Sequence, residues 1–459
     1  MKITAAVCLI AVLLSGCATY HAQPVAPAAL MNAFDARTLD DPELRRYVAA
    51  HCGGACAPGV WDLNTLTLAA FYYSPTLDIA RAQHGASQAA IQSAGQRLNP
   101  ALQLPLAYYA TNPQVGEPPY TYGLGLDIPI ETAGKRGYRI EQAQQRSNAA
   151  RFNIGNVAWQ VRSRLRAQML ILYTAIRRAS ILEQQLAIQQ HVAGMLDKRL
   201  SLGAASELED NQMHITLTRN RLDLANAQKQ IADARAQMAS IIGLPVSAMR
   251  NIDVRFDAFE RVYPDIPVDD ARRRAILNRA DLLAALSEYE AGQATLQLEI
   301  ARQYPDIHIG PGYTFDAGAN KFVLPMSGIM LPLFNQNQGP IAEATARRKE
   351  LAARVNALQA QAIDDTDRAV QNYRAALKNL QLADALLSAQ QHQLQGLQRV
   401  FQAGELDRLA LTLAQYEFYT HTLARQDALM LVQQHIGQLE DAMQRPLSAT
   451  DIQAINRED

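Results

Sequence analysis

Ser74-Pro75-Thr76-Leu77, followed by Asn99-Pro100, returns as Arg279-Ala280-Asp281-Leu282, followed by Tyr304-Pro305, with the same internal spacing. A segment pair that recurs in register marks a duplicated architecture. Outward from each copy the same series unfolds. Pro100 and Pro305 each open a stretch of alternating apolar residues, and a second such stretch leads to Ile128-Pro129-Ile130 or Leu331-Pro332-Leu333. A very long helical pattern follows, breaks at Leu202-Gly203-Ala204 or Ala403-Gly404-Glu405, resumes, and closes at Leu244-Pro245 or Arg445-Pro446.

Alternation predicts strands, because successive side chains of a strand point to opposite faces. Leu102, Leu104, Leu106 and Tyr108, then Tyr120, Tyr122, Leu124, Leu126, Ile128 and Ile130, predict strands over about 101–112 and 120–130. In the second half Ile307, Ile309, Tyr313 and Phe315, then Phe322, Leu324, Met326 and Met330, predict strands over about 306–316 and 321–333, with Pro311 and glycines interrupting. Turn-rich connectors, Thr111 to Pro119 and Asp316 to Asn320, join each pair, and each strand has the length that crosses a bilayer when tilted. From Lys135 to about Leu202 there is no proline and little glycine, which predicts an unbroken helix of roughly 65 residues, about 100 Å long at 1.5 Å per residue. Gly339-Pro340 begins its counterpart, and return helices are expected over about Glu207 to Ile242 and Asp407 to Met443. Each half thus carries a helical hairpin with its tip at Gly203 or Gly404.

The chain has 459 residues, 49% of them hydrophobic, and a formal net charge of −1. That balance argues against disorder and against an electrostatic footprint for nucleic acid. Lys2 precedes an apolar run from Ile3 to Leu14, too short to span a bilayer and of the kind found in secretory signal peptides. It ends in Leu14-Ser15-Gly16-Cys17, which resembles the bacterial lipobox, so Cys17 is expected to carry diacylglycerol as the mature N-terminus; an incidental cysteine after a plain signal is the alternative. Ala18 rather than Asp follows it, as in lipoproteins sent on to the outer membrane. Cys8 falls within the signal, which leaves Cys52 and Cys56 as a local pair. In an oxidising periplasm a disulfide is the default for them, with a three-ligand metal site through His51 as a side hypothesis.

Four strands cannot close a barrel, and open edges in lipid would leave backbone N–H and C=O groups unpaired at several kcal/mol each. Three chains giving four strands each would close a barrel with an open lumen, whereas two would give a narrow one filled by side chains. The Ala- and Gln-rich helical surfaces, as at Ala353, Ala357, Ala360, Ala362, Gln359 and Gln361, suit close side-by-side packing without a thick apolar core. The expected class is therefore mainly α with a membrane β-barrel portion: a duplicated helical-hairpin protomer forming a trimeric α-barrel plus a twelve-strand transmembrane β-barrel.

Duplicated halves, paired strands, glycine-marked tips and a lipobox together resemble the TolC-like outer membrane factors of tripartite exporters. Within them, Ile128-Pro129-Ile130-Glu131-Thr132-Ala133-Gly134-Lys135-Arg136 and Leu331-Pro332-Leu333-Phe334-Asn335-Gln336-Asn337-Gln338-Gly339 are similar to the heavy-metal, CzcC-like branch. The resemblance implies a homotrimeric duct in the outer membrane of a Gram-negative bacterium, reaching into the periplasm. It also implies an equatorial region from segments near Val246 to Pro267 and the termini. The chain then divides into a signal peptide (1–16), an N-terminal anchor and equatorial segment (17–60), a first repeat (61–245; hairpin about 135–243), an inter-repeat linker (246–267), a second repeat (268–446; hairpin about 340–443) and a C-terminal tail (447–459).

No catalytic constellation or cofactor is called for. Gly123-Leu124-Gly125 lacks the third glycine of a dinucleotide site, and Glu343, Glu350 and Asp364-Asp365 read as solvated helix faces. His191 and His392 stand at matching repeat positions, where a surface role outweighs metal binding. The acids beside the tips, Glu207, Glu209, Asp210, Glu405 and Asp407, are candidates for a cation-attracting constriction once threefold symmetry makes them rings; capping and solubilising the tip is the bland alternative. In the family, acidic rings close the duct, but positions six and nine beyond Gly404 are here Ala410 and Leu413. The resemblance also assigns docking of a periplasmic adaptor, itself joined to an inner-membrane pump of the resistance-nodulation-division type, to Leu202, Gly203, Ala204, Ser206, Ala403, Gly404 and Leu406. A poreless periplasm-spanning lipoprotein is the competing reading, and the duplicated strand pairs count against it.

Overall fold

The computed structural model describes residues 19–52, 59–110, 116–250, 252–263, 268–324 and 330–447. Two short helices, α1 (Pro27–Asp35) and α2 (Pro42–His51), each begin at a proline, whose missing N–H has no helical partner at that position anyway. The first repeat follows as α3 (Leu63–Tyr73), α4 (Pro75–Gly95), β1 (Ala101–Gln103), β2 (Leu106–Tyr108), β3 (Tyr120–Ile130), α5 (Lys135–Ser201) and α6 (Glu207–Ile242). The second repeats the order as α7 (Val268–Asn278), α8 (Ala280–Ala301), β4 (Ile307–Ile309), β5 (Gly312–Asp316), β6 (Ala319–Val323), α9 (Gln338–Gln402) and α10 (Arg408–Met443). Helices of 67 and 65 residues are each followed by one of 36, so the two hairpins have nearly equal reach.

The turns are of one type. Gly203 and Gly404 have φ of +70° and +80°, a conformation that L side chains resist. Ala204 N–H donates to Arg199 C=O at 2.7 Å and Glu405 N–H to Val400 C=O at 3.2 Å, the six-residue closure of a Schellman cap.

All strand pairs are antiparallel: β1 and β2 lie against β3, β3 against β4 and β5, and β5 against β6. The strand expected over 101–112 is two pieces that end at Tyr108, and that over 306–316 is also two pieces. Gln103 faces Gly125 and Leu106 faces Tyr122, while Ile309 faces Ile128 and Gly312 faces Gly125. One register therefore runs through Leu104-Pro105 and Gly310-Pro311, where proline lacks the N–H a ladder needs. The strand expected over 321–333 starts earlier, at Ala319, and stops at Val323; in the sequence Pro325 follows Leu324, and residues 330–337 are not strand. Residues 111–115 and 325–329, Met326 included, lie outside the described residues.

The main core forms where the N-terminal elements and the inter-repeat segment pack against the middle of α5 and the end of α6. Leu66, Leu68 and Phe71 of α3 pack with Leu165 and Met169 of α5, Met238 of α6 and Phe259 of the inter-repeat segment. That segment, with short 3-10 turns at Val246–Met249 and Asp257–Phe259, is tied to the N-terminal part by a parallel bridge between Trp61 and Val254. In the second repeat Ala271 and Ala275 of α7 pack with Val370, Leu439 and Met443, and Tyr373 packs with Val432 and Ile436. Of the alanines expected to pack side by side, Ala362 is buried while Ala353, Ala357 and Ala360 are exposed in the single chain. Among the described residues no helix is long and apolar enough to cross a membrane. Cys52 is disulfide-bonded; Cys56 and the expected lipidation site Cys17 lie outside the described residues.

Candidate functional site

The two faces of the sheet differ in chemistry. Directly opposed residues share a face, so Leu102 with Leu126, Leu106 with Tyr122 and Phe315, Leu124 with Tyr313 and Phe322, and Ile128 with Ile309 form one apolar surface. Most of these side chains are exposed. Tyr120, Tyr122 and Phe315 stack at centroid separations of 4.9–6.2 Å near the end where β2 turns into β3. The other face is polar. There Thr121 Oγ1 and Tyr109 Oη donate to Asp316, Lys321 pairs with the same carboxylate, and His308 lies 3.0 Å from Asp127. The outer sides of β1/β2 and of β6 pair with no further strand among the described residues.

The tip acids do not gather into one cluster within the chain. Ser206 caps α6 by accepting from Glu209 N–H, while the Glu209 carboxylate accepts from Ser206 N–H at 2.9 Å, a reciprocal capping box that holds the Glu209 carboxyl below its usual value. Asp407 instead crosses to the other hairpin, where Arg199 Nη2 approaches it at 2.6 Å and holds its carboxyl below the ordinary range. Asp210 turns the other way, towards α5. His214 Nε2 lies 3.4 Å from Asp197 Oδ1 and 3.6 Å from Asp210 Oδ2, and burial, with the neighbouring Asp197, pushes the Asp210 carboxyl up. Glu207 and Glu405 are exposed, as are Leu202, Gly203, Ala204, Ser206, Ala403 and Gly404, while Leu406 is partly covered. Both His191 and His392 are exposed; near the tip the imidazole that meets two carboxylates is His214, which the matching of repeat positions does not find. An Asp210-x3-His214 spacing on one helix face, with Asp197 at a similar distance before the turn, was the available signal.

A seam between the repeats was also missed. Along antiparallel α5 and α10, Arg162 Nη1 and Arg166 Nε lie 3.0 and 3.3 Å from Glu440 Oε2, Arg178 pairs with Asp427, Gln185 donates to Thr420, and Arg199 meets Asp407. Trp159 Nε1 and Ser163 Oγ donate to Asp441, whose carboxyl burial pushes up. Arg166 lies so close over Gly437 that a Cβ there would stand 2.5 Å from Nη1.

Residues 70–244 match the family model described as outer membrane efflux protein. The cobalt-zinc-cadmium resistance protein CzcC of Cupriavidus metallidurans is 24% identical over 220 residues, 48% of this chain and 52% of CzcC. The pyoverdine export outer membrane protein OpmQ of Pseudomonas aeruginosa is 23% identical over 418 residues, 85% of each chain. The match thus spans about half the length of CzcC but most of OpmQ. The crystal structure of the outer membrane protein VceC from Vibrio cholerae superposes with a TM-score of 0.68 at 19% identity, covering 84% of this chain and 97% of VceC; the fold is the same.

Proposed function

From the match of residues 70–244 to the outer membrane efflux protein family and the shared fold, we propose that the chain is a member of that family and the outer-membrane channel subunit of a tripartite efflux system. A family of channels, not of enzymes, is the setting, and the chain's work is passive conduction. The observation that carries the reading is the sheet: an exposed apolar face, a polar face and two unpaired edges, joined to two hairpins about 100 Å long. In hydrocarbon such a sheet is stable only when β6 of one chain pairs with β1/β2 of the next. Three chains close twelve strands, turn the apolar face to lipid and line the lumen with Asp127, Thr121, His308 and Asp316. The alanines exposed on α9 then lie against neighbouring helices, and six hairpins enclose a periplasmic tunnel.

Cys17 anchors the mature chain to the outer membrane through its acyl chains. At the far end Leu202, Gly203, Ala204, Ser206, Ala403, Gly404 and Leu406 meet a periplasmic adaptor, and through it an inner-membrane pump of the resistance-nodulation-division type. Glu207 and Glu405 bring negative charge to the mouth, while Glu209 is held in its cap and Asp407 in its pair with Arg199. The partial likeness to CzcC supports the heavy-metal branch, and that to OpmQ supports a route for a compound such as pyoverdine. A water-filled lumen selects weakly, so the pump sets the choice.

Planar-bilayer conductance of the detergent-extracted protein, with oligomeric mass measured on the same sample, tests the reading. Trimers giving discrete, cation-preferring channels are expected; a monomer without conductance but with native helix content overturns it and favours a poreless lipoprotein.

A further inference from the structure

Asp197 near the end of α5 and Asp210 and His214 on the first turns of α6 each offer one ligand atom, and the three atoms lie within 4.8 Å of one another. The separations from His214 Nε2, 3.4 Å to Asp197 and 3.6 Å to Asp210, are long for hydrogen bonds. They are close to the edge of a tetrahedron around zinc, about 3.3 Å for metal–ligand bonds near 2.0 Å. The Asp210 side chain is only 14% exposed, its Oδ2 lies toward His214 and its Oδ1 is buried without a hydrogen-bond partner. A buried carboxylate oxygen without a donor, beside a second carboxylate, is an arrangement that a cation relieves. Asp197 and His214 are about half exposed, which leaves an entry path and a fourth position for water. The constellation belongs to the first hairpin alone: at the same offsets from Gly404 stand Gln398, Leu411 and Gln415.

We propose that Asp197, Asp210 and His214 bind a divalent transition-metal ion of the zinc class, which ties α5 to α6 beside the first hairpin tip. One imidazole and two carboxylates suit zinc or cobalt better than magnesium or calcium, which prefer all-oxygen shells of six or more ligands. The ion is a structural clamp on the turn, independent of what the chain conducts.

Calorimetric titration of the full-length, detergent-solubilised protein without a histidine tag, using Zn2+ alone, tests the site. One zinc per chain is expected, with a dissociation constant in the micromolar range or tighter. Asp210→Asn, which keeps the side-chain shape, and His214→Gln are each expected to weaken binding at least ~10-fold. Co2+ should give the visible absorption of a tetrahedral site, lost in His214→Gln and kept in His392→Gln. No zinc bound at about 100 μM, or zinc binding undiminished in both variants, overturns the proposal. Circular dichroism of each variant separates loss of the site from loss of fold. Conductance plays no part in the readout, so a failed duct reading leaves this result standing, and the reverse.

Discussion

Helices α5 and α10 are joined by an arginine–carboxylate pair at both ends of their contact, and the two pairs are physically unlike. At the equator Arg162 and Glu440 are 2% and 6% exposed; at the tips Arg199 and Asp407 are 41% and 53% exposed, and Arg178–Asp427 between them is already as open. A buried ion pair is hard to remove because either partner left alone is an uncompensated charge, whereas an exposed pair exchanges with water and salt at little cost. One contact therefore has a permanent end and a labile end. The duplication supplies both, since α5 comes from the first repeat and α10 from the second.

The largest test of that contrast is Glu440→Ala, which removes the buried carboxylate that faces both Arg162 and Arg166. It is expected to destabilise the chain by about 3–5 kcal/mol in denaturant unfolding of the solubilised protein. Gly437→Ala should follow with a loss of about 1–3 kcal/mol, because its methyl group must displace the Arg166 guanidinium; a neutral result would show that the arginine has room to move. Asp407→Ala should leave the unfolding midpoint unchanged but raise single-channel conductance by releasing the tip. Equal conductance in the variant would remove the tip pair from any role in closing the duct. Raising salt towards 1 M, where the Debye length is about 3 Å, should shrink the difference in conductance between Asp407→Ala and the parent measured in the same bath, without shifting the unfolding midpoint.

Acid should have the smallest effect. Arg199 holds the folded carboxyl of Asp407 below its unfolded value, so the contribution of the pair is fully present above the usual Asp range near 4 and fades only as pH falls through the lower folded value. Conductance is accordingly expected to be flat from pH 7 to 5; a rise within that window would point to a group other than Asp407, such as the raised Asp210 carboxyl.

The hairpins were legible because their signals are local: the absence of proline from Lys135 to Ser201, a glycine at each turn, and the same order written twice. Alternation gave the face of each strand, but not its breaks, because apolar periodicity passes through Pro105 and Pro311 while hydrogen bonding does not. Among the tip residues, sequence named the acids without their partners. Glu209 belongs to its own cap, and Asp407 to an arginine more than 200 positions earlier. The seam was illegible for the same reason: Arg162 and Glu440 are 278 residues apart, and nothing in either neighbourhood announces a buried charge.

The gradient of exposure along the seam has a mechanical consequence. From Arg162 to Arg199 the helix extends about 55 Å at 1.5 Å per residue, clamped at one end and loosely latched at the other. Such an arm is a lever: a swing of roughly 10° at the clamped end carries the free end on the order of 10 Å. Wide displacement at the mouth then demands almost no rearrangement in the packed middle of the molecule.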